Sequence, residues 1–265
     1  RNVGSHSFKL VTGYRRLDEL NKKLENFSYR VLKEDCLDLP EKIYMKRIVP
    51  LSPEQLKAYT EMKKHAITEL EGRQTTAASA LAQLVRLHQI TCGHLALDDG
   101  EVKTLKNNRI KELLDILEEI DGKVIIWAIY RHDIKEITRI LSERYGANSV
   151  ASFFGDTLDR DRQDIVDRFQ DRESDLRFFV GNPRTGGYGL TLTASHTVIY
   201  YSNSYDLEIR LQSEDRAHRI SQKEKVTYID LISEGTVDEY IVKNLRGKIN
   251  LATKILGEDL KKWLI

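Results

Sequence analysis

Residues 106–235 alternate short apolar runs with longer amphipathic stretches, and this pattern constrains the fold more than any other feature. Strands that are apolar along their whole length are buried on both faces, and right-handed crossovers join them when helices alternate with them. The pattern therefore predicts an α/β fold, with a parallel sheet flanked by helices. The predicted strands are residues 124–129, 150–154, 178–180, 198–201 and 226–232, and the predicted helices are residues 111–120, 133–145 and 160–169.

Residues 1–105 show a different pattern, which is mainly helical. Long, charged helices are predicted at residues 17–27, 53–71 and 77–90, and an alternating strand is predicted at residues 42–49. We therefore predict a boundary near residue 105. Residues 1–105 would form a helical linker segment, and residues 106–265 would form the sheet domain with a C-terminal helix.

Composition excludes several classes of protein. The formal net charge is only +1 over 265 residues, so a surface that binds nucleic acid would be a local stripe. Cys36 and Cys92 form neither a zinc pattern nor a disulfide framework, which is typical of a reducing cytoplasm. No apolar run reaches the length of a membrane span. We expect a monomeric, cytoplasmic protein, and a fragment of a longer one because Arg1 is not a methionine.

Residues 212–222 (QSEDRAHRISQ), the arginine motif, carry the clearest chemical signal. If they are helical, Gln212, Arg216 and Arg219 share one face and present an amide and two guanidinium groups to one point. Phosphoryl transfer requires such an array, because negative charge on the transferred phosphate must be stabilised. Any one of these arginines alone is ordinarily a solvated charge near a helix end.

Residues 185–192 (TGGYGLTL), the glycine motif, follow the predicted strand at residues 178–180. Glycines without side chains allow the backbone to approach a phosphate closely. Such a segment by itself is ordinarily a tight turn. The carboxyl ends of parallel strands are where ligands bind, so the position of the motif favours a nucleotide site.

Together, these two motifs and residues 235–239 (GTVDE) closely resemble the last motifs of the Swi/Snf-like branch of superfamily 2 helicases, the ATP-dependent DNA translocases. Residues 29–42, 51–59 and 83–88 continue the resemblance, which covers about residues 15–256. It implies a RecA-like lobe, the second of two in a motor. Residues 1–105 would then close the first lobe and form a helical protrusion. The compact form is similar to that of bacterial or phage members.

The resemblance also implies roles for single residues in the hydrolysis of ATP. Arg219 would be an arginine finger and Gln212 a positioning group. Arg216 would be the partner of Arg219, either on the phosphates or on acidic residues of the opposite lobe. Gly187 and Gly189 would keep the glycine motif close to the nucleotide.

A further implication is contact with the backbone of double-stranded DNA, without sequence specificity. Arg131 and Arg162 are equally well interpreted as ordinary surface charges. Trp127 is interpreted as a core residue and not as a residue that stacks on bases. The implied contacts are Arg131, Gly155, Thr157, Arg162, Asn182, Thr185 and Gly186.

The nucleotide site implied by this resemblance is incomplete in the chain. The phosphate-binding pattern G-x-x-x-x-G-K-[ST] occurs nowhere, and no acidic box follows a strand. Asp238 and Glu239 are interpreted instead as charges that favour the start of a helix. We expect the ligands of Mg²⁺ and the phosphate cradle on an N-terminal RecA-like lobe of the same protein, and we expect residues 1–265 alone to be inactive.

Five residues depart from the family pattern. Ser221 stands where glycine is usual, and Tyr205-Asp206 replaces a frequent tryptophan-asparagine-proline run. Thr191 replaces a common asparagine, and Thr185 a usual alanine. None of these changes removes a charged group.

Two alternatives from other classes remain open at the level of sequence. One is a flavodoxin-like α/β domain that binds a small phosphorylated ligand through the glycine motif. It leaves the arginine motif unexplained. The other is a non-catalytic lobe that binds DNA or another protein.

Overall fold

The computed structural model of the protein describes residues 2–3, 6–7, 15–28, 36–71, 77–97, 100–186 and 189–256. Contacts divide the chain into two units: Asp38–Arg246, and Arg1–Leu37 together with Gly247–Ile265. This division differs from the boundary near residue 105, and the assignment of residues 1–105 and 106–265 to separate domains stays a prediction. In the smaller unit, strands β1 (Asn2–Val3) and β2 (His6–Ser7) pair antiparallel, and helix α1 is Leu17–Glu25.

The larger unit is built around a six-stranded sheet in the order β3-β10-β9-β6-β8-β7, in which every pair is parallel. This confirms the predicted parallel sheet flanked by helices. The strands of the sheet are β3 (Lys42–Ile48), β6 (Lys123–Trp127), β7 (Val150–Phe153), β8 (Phe178–Gly181), β9 (Ser195–Tyr200) and β10 (Val226–Ile232).

Helices connect and cover these strands, and a short antiparallel hairpin precedes them. The hairpin strands are β4 (His94–Ala96) and β5 (Val102–Thr104). The helices are α2 (Pro53–Glu71), α3 (Ala77–Cys92), α4 (Arg109–Glu118), α5 (Arg131–Tyr145), α6 (Asp159–Gln170), α7 (Pro183–Gly186), α8 (Leu207–Glu214) and α9 (Val237–Leu256).

The core lies on both faces of the sheet, as continuous apolar strands require. All five residues of β6 are buried and alternate between the two faces. Val124 and Ile126 pack in a cluster with α4 and α5, whereas Ile125 and Trp127 pack in a second cluster with α6. Trp127 is fully buried, which confirms its interpretation as a core residue.

Strand β3 adds an element that the sequence pattern did not assign to this sheet. It lies in the segment predicted as a helical linker, yet it pairs in parallel with β10 along its whole length, with Lys42 opposite Val226 and Ile48 opposite Ile232. Ile43 and Met45 stay exposed because β3 is an edge strand. Its alternating pattern reflects that position.

Helix α5 shows how local chemistry ends an element. It begins at Arg131, directly after the loop that follows β6, and ends before Gly146, which has a φ of 95°. Only glycine adopts this backbone conformation without strain, so the stop predicted at Gly146 is confirmed. Among the described residues, no helix combines the length and the low charge that crossing a membrane requires.

Candidate functional site

Helix α8 leads into the arginine motif but ends earlier than the sequence predicted. The side chain of Asp206 caps its first turn by accepting hydrogen bonds from the backbone N–H groups of Glu208 (3.0 Å) and Ile209 (3.3 Å). The helix stops at Glu214, and turns follow it. The prediction that Gln212, Arg216 and Arg219 share one helical face is therefore wrong.

Arg216 and Arg219 nevertheless converge, because the turns fold back on the glycine motif. Arg216 Nη1 donates to the carbonyl of Leu190 (3.2 Å), and Arg219 Nη1 donates to the same oxygen (3.0 Å). Arg219 Nη1 also donates to Thr191 Oγ1 (3.1 Å). Burial, and then the neighbouring charge of Arg219, lower the pKa of Arg216. Two cationic groups thus meet at one neutral oxygen.

Gln212 contributes its backbone to this arrangement. Its carbonyl accepts a hydrogen bond from Arg216 Nε (2.9 Å), whereas its side-chain amide donates to Glu208 Oε1 (2.9 Å). The structure therefore does not bring the amide of Gln212 to the point where the two arginines meet.

The glycine motif begins in the short helix α7, which contains Thr185 and Gly186 and follows β8. Gly187 lies outside the described residues. Gly189 has a φ of +77°, and a side chain added there would meet nothing within 4 Å. At Gly189 glycine is therefore required by backbone conformation and not by crowding.

The residues predicted to contact DNA gather at one end of the sheet, the carboxyl edge, where the parallel strands β6, β7 and β8 end side by side. Each lies in the segment that follows one of these strands. After β6 comes Arg131; after β7 come Gly155, Thr157 and Arg162; after β8 come Asn182, Thr185 and Gly186.

Hydrogen bonds link these loops to one another. Asn182 Nδ2 donates to the carbonyl of Ile129 (2.9 Å), which joins the segments after β8 and β6. Thr157 Oγ1 accepts from the N–H of Phe154 (3.0 Å), and the carbonyl of Thr157 accepts from Arg162 Nε (3.3 Å). The carboxyl edge is thus a connected polar surface.

The two basic side chains at this edge already have acidic neighbours. Arg131, with 66% of its side chain exposed, lies 3.1 Å from Asp156 Oδ1. Arg162 Nε lies 3.3 Å from Asp159 Oδ1, and its guanidinium stacks over Phe153 at 5.5 Å. These pairs are exposed and weak, so a phosphate can compete for both arginines.

Two buried networks escaped the sequence prediction. In the first, Arg210 forms ion pairs with Asp230 (2.6 Å) and with Glu214 (2.8 Å), and Glu214 belongs to the arginine motif. In the second, Asp238 pairs with Arg109 and accepts from Thr91 Oγ1 (2.7 Å). Asp238 is therefore a buried ion-pair partner and more than a charge at the start of α9. Its partners are distant in sequence, so no local pattern could have indicated them.

No metal centre is visible in the described ranges, where no three histidine, cysteine, aspartate or glutamate side chains are grouped as ligands. Cys92 is buried, and burial raises the pKa of its thiol. Gly93, the next residue, lies in a turn and has a φ of +97°.

Comparison with known proteins places this geometry in a family. Residues 105–221 match the helicase conserved C-terminal domain. YwqA of Bacillus subtilis, whose name describes an ATP-dependent helicase/translocase, is 31% identical over 94% of this chain and 28% of its own length. The SWI/SNF chromatin-remodeling complex subunit snf22 of Schizosaccharomyces pombe is 29% identical over 91% of this chain and 15% of its own length. The chain spans less than a third of these relatives.

Solved structures show the same relationship. The Sulfolobus solfataricus SWI2/SNF2 ATPase core in complex with dsDNA is 26% identical, with a TM-score of 0.65 over 94% of this chain and 54% of that chain. The C-terminal part of the Fun30 ATPase domain reaches a TM-score of 0.67 over 78% of this chain and 90% of that chain, at 18% identity. The latter likeness concerns the fold alone.

The fold is that of a RecA-like helicase C-terminal lobe. More specifically, residues 105–221 match the helicase conserved C-terminal domain, and the chain is similar over most of its length to Snf2-like superfamily 2 ATPases. The resemblance inferred from the motifs is confirmed to this level, and the bacterial or phage type stays a prediction. A flavodoxin-like domain is not supported.

Proposed function

We propose that this chain is the second motor lobe of an ATP-dependent translocase on double-stranded DNA, and that Arg216 and Arg219 complete its ATP site. The observation that carries the proposal is the convergence of both guanidinium groups on the carbonyl of Leu190, within the glycine motif. The nucleotide would bind between this lobe and an N-terminal lobe of the same protein, which would supply the phosphate cradle and the Mg²⁺ ligands.

The two positively charged guanidinium groups at the Leu190 carbonyl favour the binding of an anion there. The oxygens that accept from the two arginines belong to Leu190, Thr191 and Gln212, and none carries a full negative charge. A phosphate would replace these uncharged acceptors with anionic oxygens, to which a planar guanidinium can donate two parallel hydrogen bonds.

During hydrolysis, water attacks the γ-phosphorus of ATP, and negative charge spreads over the transferred phosphoryl group as the bond to ADP breaks. Arg219 would stabilise that charge with its planar fork of donors. Arg216, whose Nε donates to the carbonyl of Gln212, would place a second guanidinium group at the phosphates. The relatives named as ATP-dependent helicases support the use of ATP by the whole protein.

Contact with DNA would occur at the carboxyl edge. Arg131 and Arg162 would neutralise phosphates, and the loop residues Asn182, Thr185 and Gly186 would add polar or backbone contacts. Such contacts hold position on a duplex without reading its sequence, as a translocase requires. The similar Sulfolobus solfataricus core in complex with dsDNA supports this assignment.

The test is a substitution of Arg219 in the full-length protein. Arg219→Ala should lower DNA-stimulated ATP turnover by roughly 10³-fold or more, since fingers of this kind contribute on the order of 10³ to 10⁵. Arg219→Lys should not restore it, because an ammonium lacks the fork geometry. ATP affinity should change much less, because the finger acts on the transition state.

Arg172→Ala is the matched control, since Arg172 is exposed in the loop after α6. Near-normal turnover in Arg219→Lys would assign Arg219 a structural role. A full-length protein that binds DNA but hydrolyses no ATP would favour the non-catalytic alternative. The 265-residue chain alone should be inactive, because it lacks the phosphate-binding pattern.

A further inference from the structure

Glu214 is the point where the arginine motif is tied to the edge of the sheet. It is the last residue of α8, and its side chain is fully buried. One carboxylate oxygen, Oε2, accepts from Lys42 Nζ (3.2 Å) and Tyr44 OH (2.9 Å), both on β3. The other oxygen accepts from Arg210 Nε (2.8 Å).

The backbone carbonyl of Glu214 also accepts hydrogen bonds. Its carbonyl accepts from Tyr228 OH (2.9 Å) on β10 and from the N–H of His218 (3.1 Å). His218 Nε2 in turn lies 2.7 Å from the carbonyl of Pro40. Strand β3 therefore contacts the arginine motif before Arg216, at Glu214, and the segment that leads into β3 contacts it after Arg216, at His218.

We propose that Lys42 and Tyr44 are positioning residues for ATP hydrolysis, which act through Glu214 to hold Arg216 and Arg219 at the nucleotide. This inference rests on the proposed function. It assigns β3 a part in the reaction in addition to its place in the sheet. A shift of β3 would move the turn that carries the two arginines.

The packing of Tyr44 explains how a strand can control this turn. Tyr44 stacks on Tyr228 with ring centroids 5.2 Å apart, and the two residues are register partners in the parallel pair of β3 and β10. Burial, and then the charge of Glu214, raise the pKa of Tyr44, so its hydroxyl remains a donor. Loss of that donor leaves a buried carboxylate oxygen under-satisfied, which is costly enough to shift the local structure.

The expected consequence is a selective loss of turnover. Small displacements of a group that acts in the transition state reduce rates steeply, and about 1 Å can cost on the order of 10²-fold. Ground-state binding of ATP, to which a positioning residue contributes little, should change far less.

The experiment uses the full-length protein with Tyr44→Phe and Lys42→Met. Each should lower DNA-stimulated kcat by about 10-fold or more, with little change in the KM for ATP. The matched controls are Tyr201→Phe, which removes a buried hydroxyl that donates to the carbonyl of Cys92 (3.1 Å), and Lys46→Met, which removes an exposed charge from the same strand. Thermal unfolding of all four variants separates lost activity from lost folding.

A double-mutant experiment tests whether Tyr44 acts through the arginines. In a background that carries both Arg216→Ala and Arg219→Ala, Tyr44→Phe should add no further loss of kcat, because both residues that it positions are absent. Equal losses in Tyr44→Phe and Tyr201→Phe, or a Tyr44→Phe effect that persists without the two arginines, would overturn the positioning role. If Arg219→Ala itself left turnover intact, the proposed function would fail instead.

Discussion

Ser221 adopts a backbone conformation that suits glycine. Its φ is 90°, in a region where the Cβ atom of an L-residue is crowded by the backbone. The family that the motifs resemble usually has glycine at this position. The side chain offers a partial compensation, since Ser221 Oγ lies 3.2 Å from Thr193 Oγ1. That contact is exposed and therefore weak.

Relief of the backbone strain at Ser221 should be measurable as a gain in the free energy of unfolding. Ser221→Gly should raise the free energy of unfolding by about 0.5 to 1 kcal/mol, because the strain of a non-glycine residue outweighs the flexibility that glycine adds to the unfolded chain. Ser221→Ala keeps the strain and removes the hydroxyl, so it should not stabilise. Urea unfolding of the two variants decides the matter: equal stability would place the cost elsewhere.

At the scale of elements, His88 lies where several helices meet. It belongs to α3 and is buried. Its Nδ1 lies 3.1 Å from Tyr130 OH, and its Nε2 lies 3.5 Å from Asp238 Oδ1 on α9. Burial lowers the pKa of His88 to about 4, against the opposing charge of Asp238 and with the support of Arg109 on α4. His88 is therefore neutral in the folded protein at pH 7.

This has a direct consequence for the pH dependence of stability. Because the pKa of His88 is lower in the folded than in the unfolded state, the unfolded state binds the proton first as the pH falls. The contribution of His88 is present above about pH 6.5 and is lost between about pH 6.5 and pH 4, at up to about 1.4 kcal/mol per pH unit.

Urea titrations at pH 7.5, 5.5 and 4.5 test this, with His88→Gln compared with the unchanged protein. The difference in unfolding free energy between the two should shrink as the pH falls. His65→Gln, at an exposed histidine on α2, is the matched control substitution. A constant difference between His88→Gln and the unchanged chain would contradict a neutral, buried His88.

The elements that the sequence predicted well are those whose pattern has one explanation. Strand β10 and helix α2 match their predicted ranges, because a long apolar run and a long charged helix leave little ambiguity. The helix predicted through Arg219 failed for a tertiary reason. The carbonyl of Arg216 accepts from the N–H of Leu192 (2.9 Å), which diverts an acceptor that a continuing helix would use.

The candidate site divides in the same way. The sequence predicted that the arginine and glycine motifs share a site, and the structure brings Arg216 and Arg219 to Leu190. The sequence alone could not predict that Lys42 and Tyr44 reach Glu214, because these contacts join residues from distant parts of the chain. Pairings of this kind are set by the completed sheet and leave no local signal.

At the scale of the whole molecule, charge limits how this lobe can hold DNA. The formal net charge is +1, and Arg131 and Arg162 each have an acidic neighbour at the carboxyl edge. Attraction to a duplex must therefore come from a few local contacts. Each contact that neutralises a phosphate adds about 0.9 to the steepness of the salt dependence.

We expect weak, sequence-independent binding of duplex DNA with a shallow salt slope. Arg131→Ala or Arg162→Ala should weaken binding equally on all sequences and flatten the slope by about one unit. Arg139→Ala is the control, because Arg139 lies on α5 about two turns beyond Arg131 and therefore away from the carboxyl edge. The measurement is a salt titration on two unrelated duplexes. A strong preference for one of them would indicate a sequence-specific module.

The place of β3 in the sheet bears on how the protein is made. Among the six strands of this sheet, β3 is synthesised first and its neighbour β10 is synthesised last. Until then β3 has no neighbouring strand in the sheet, and its unpaired backbone N–H and C=O groups are open to chaperones or to another nascent chain. A premature stop before Val226 would remove β10 and leave both β3 and β9 unpaired along the edges that it covers.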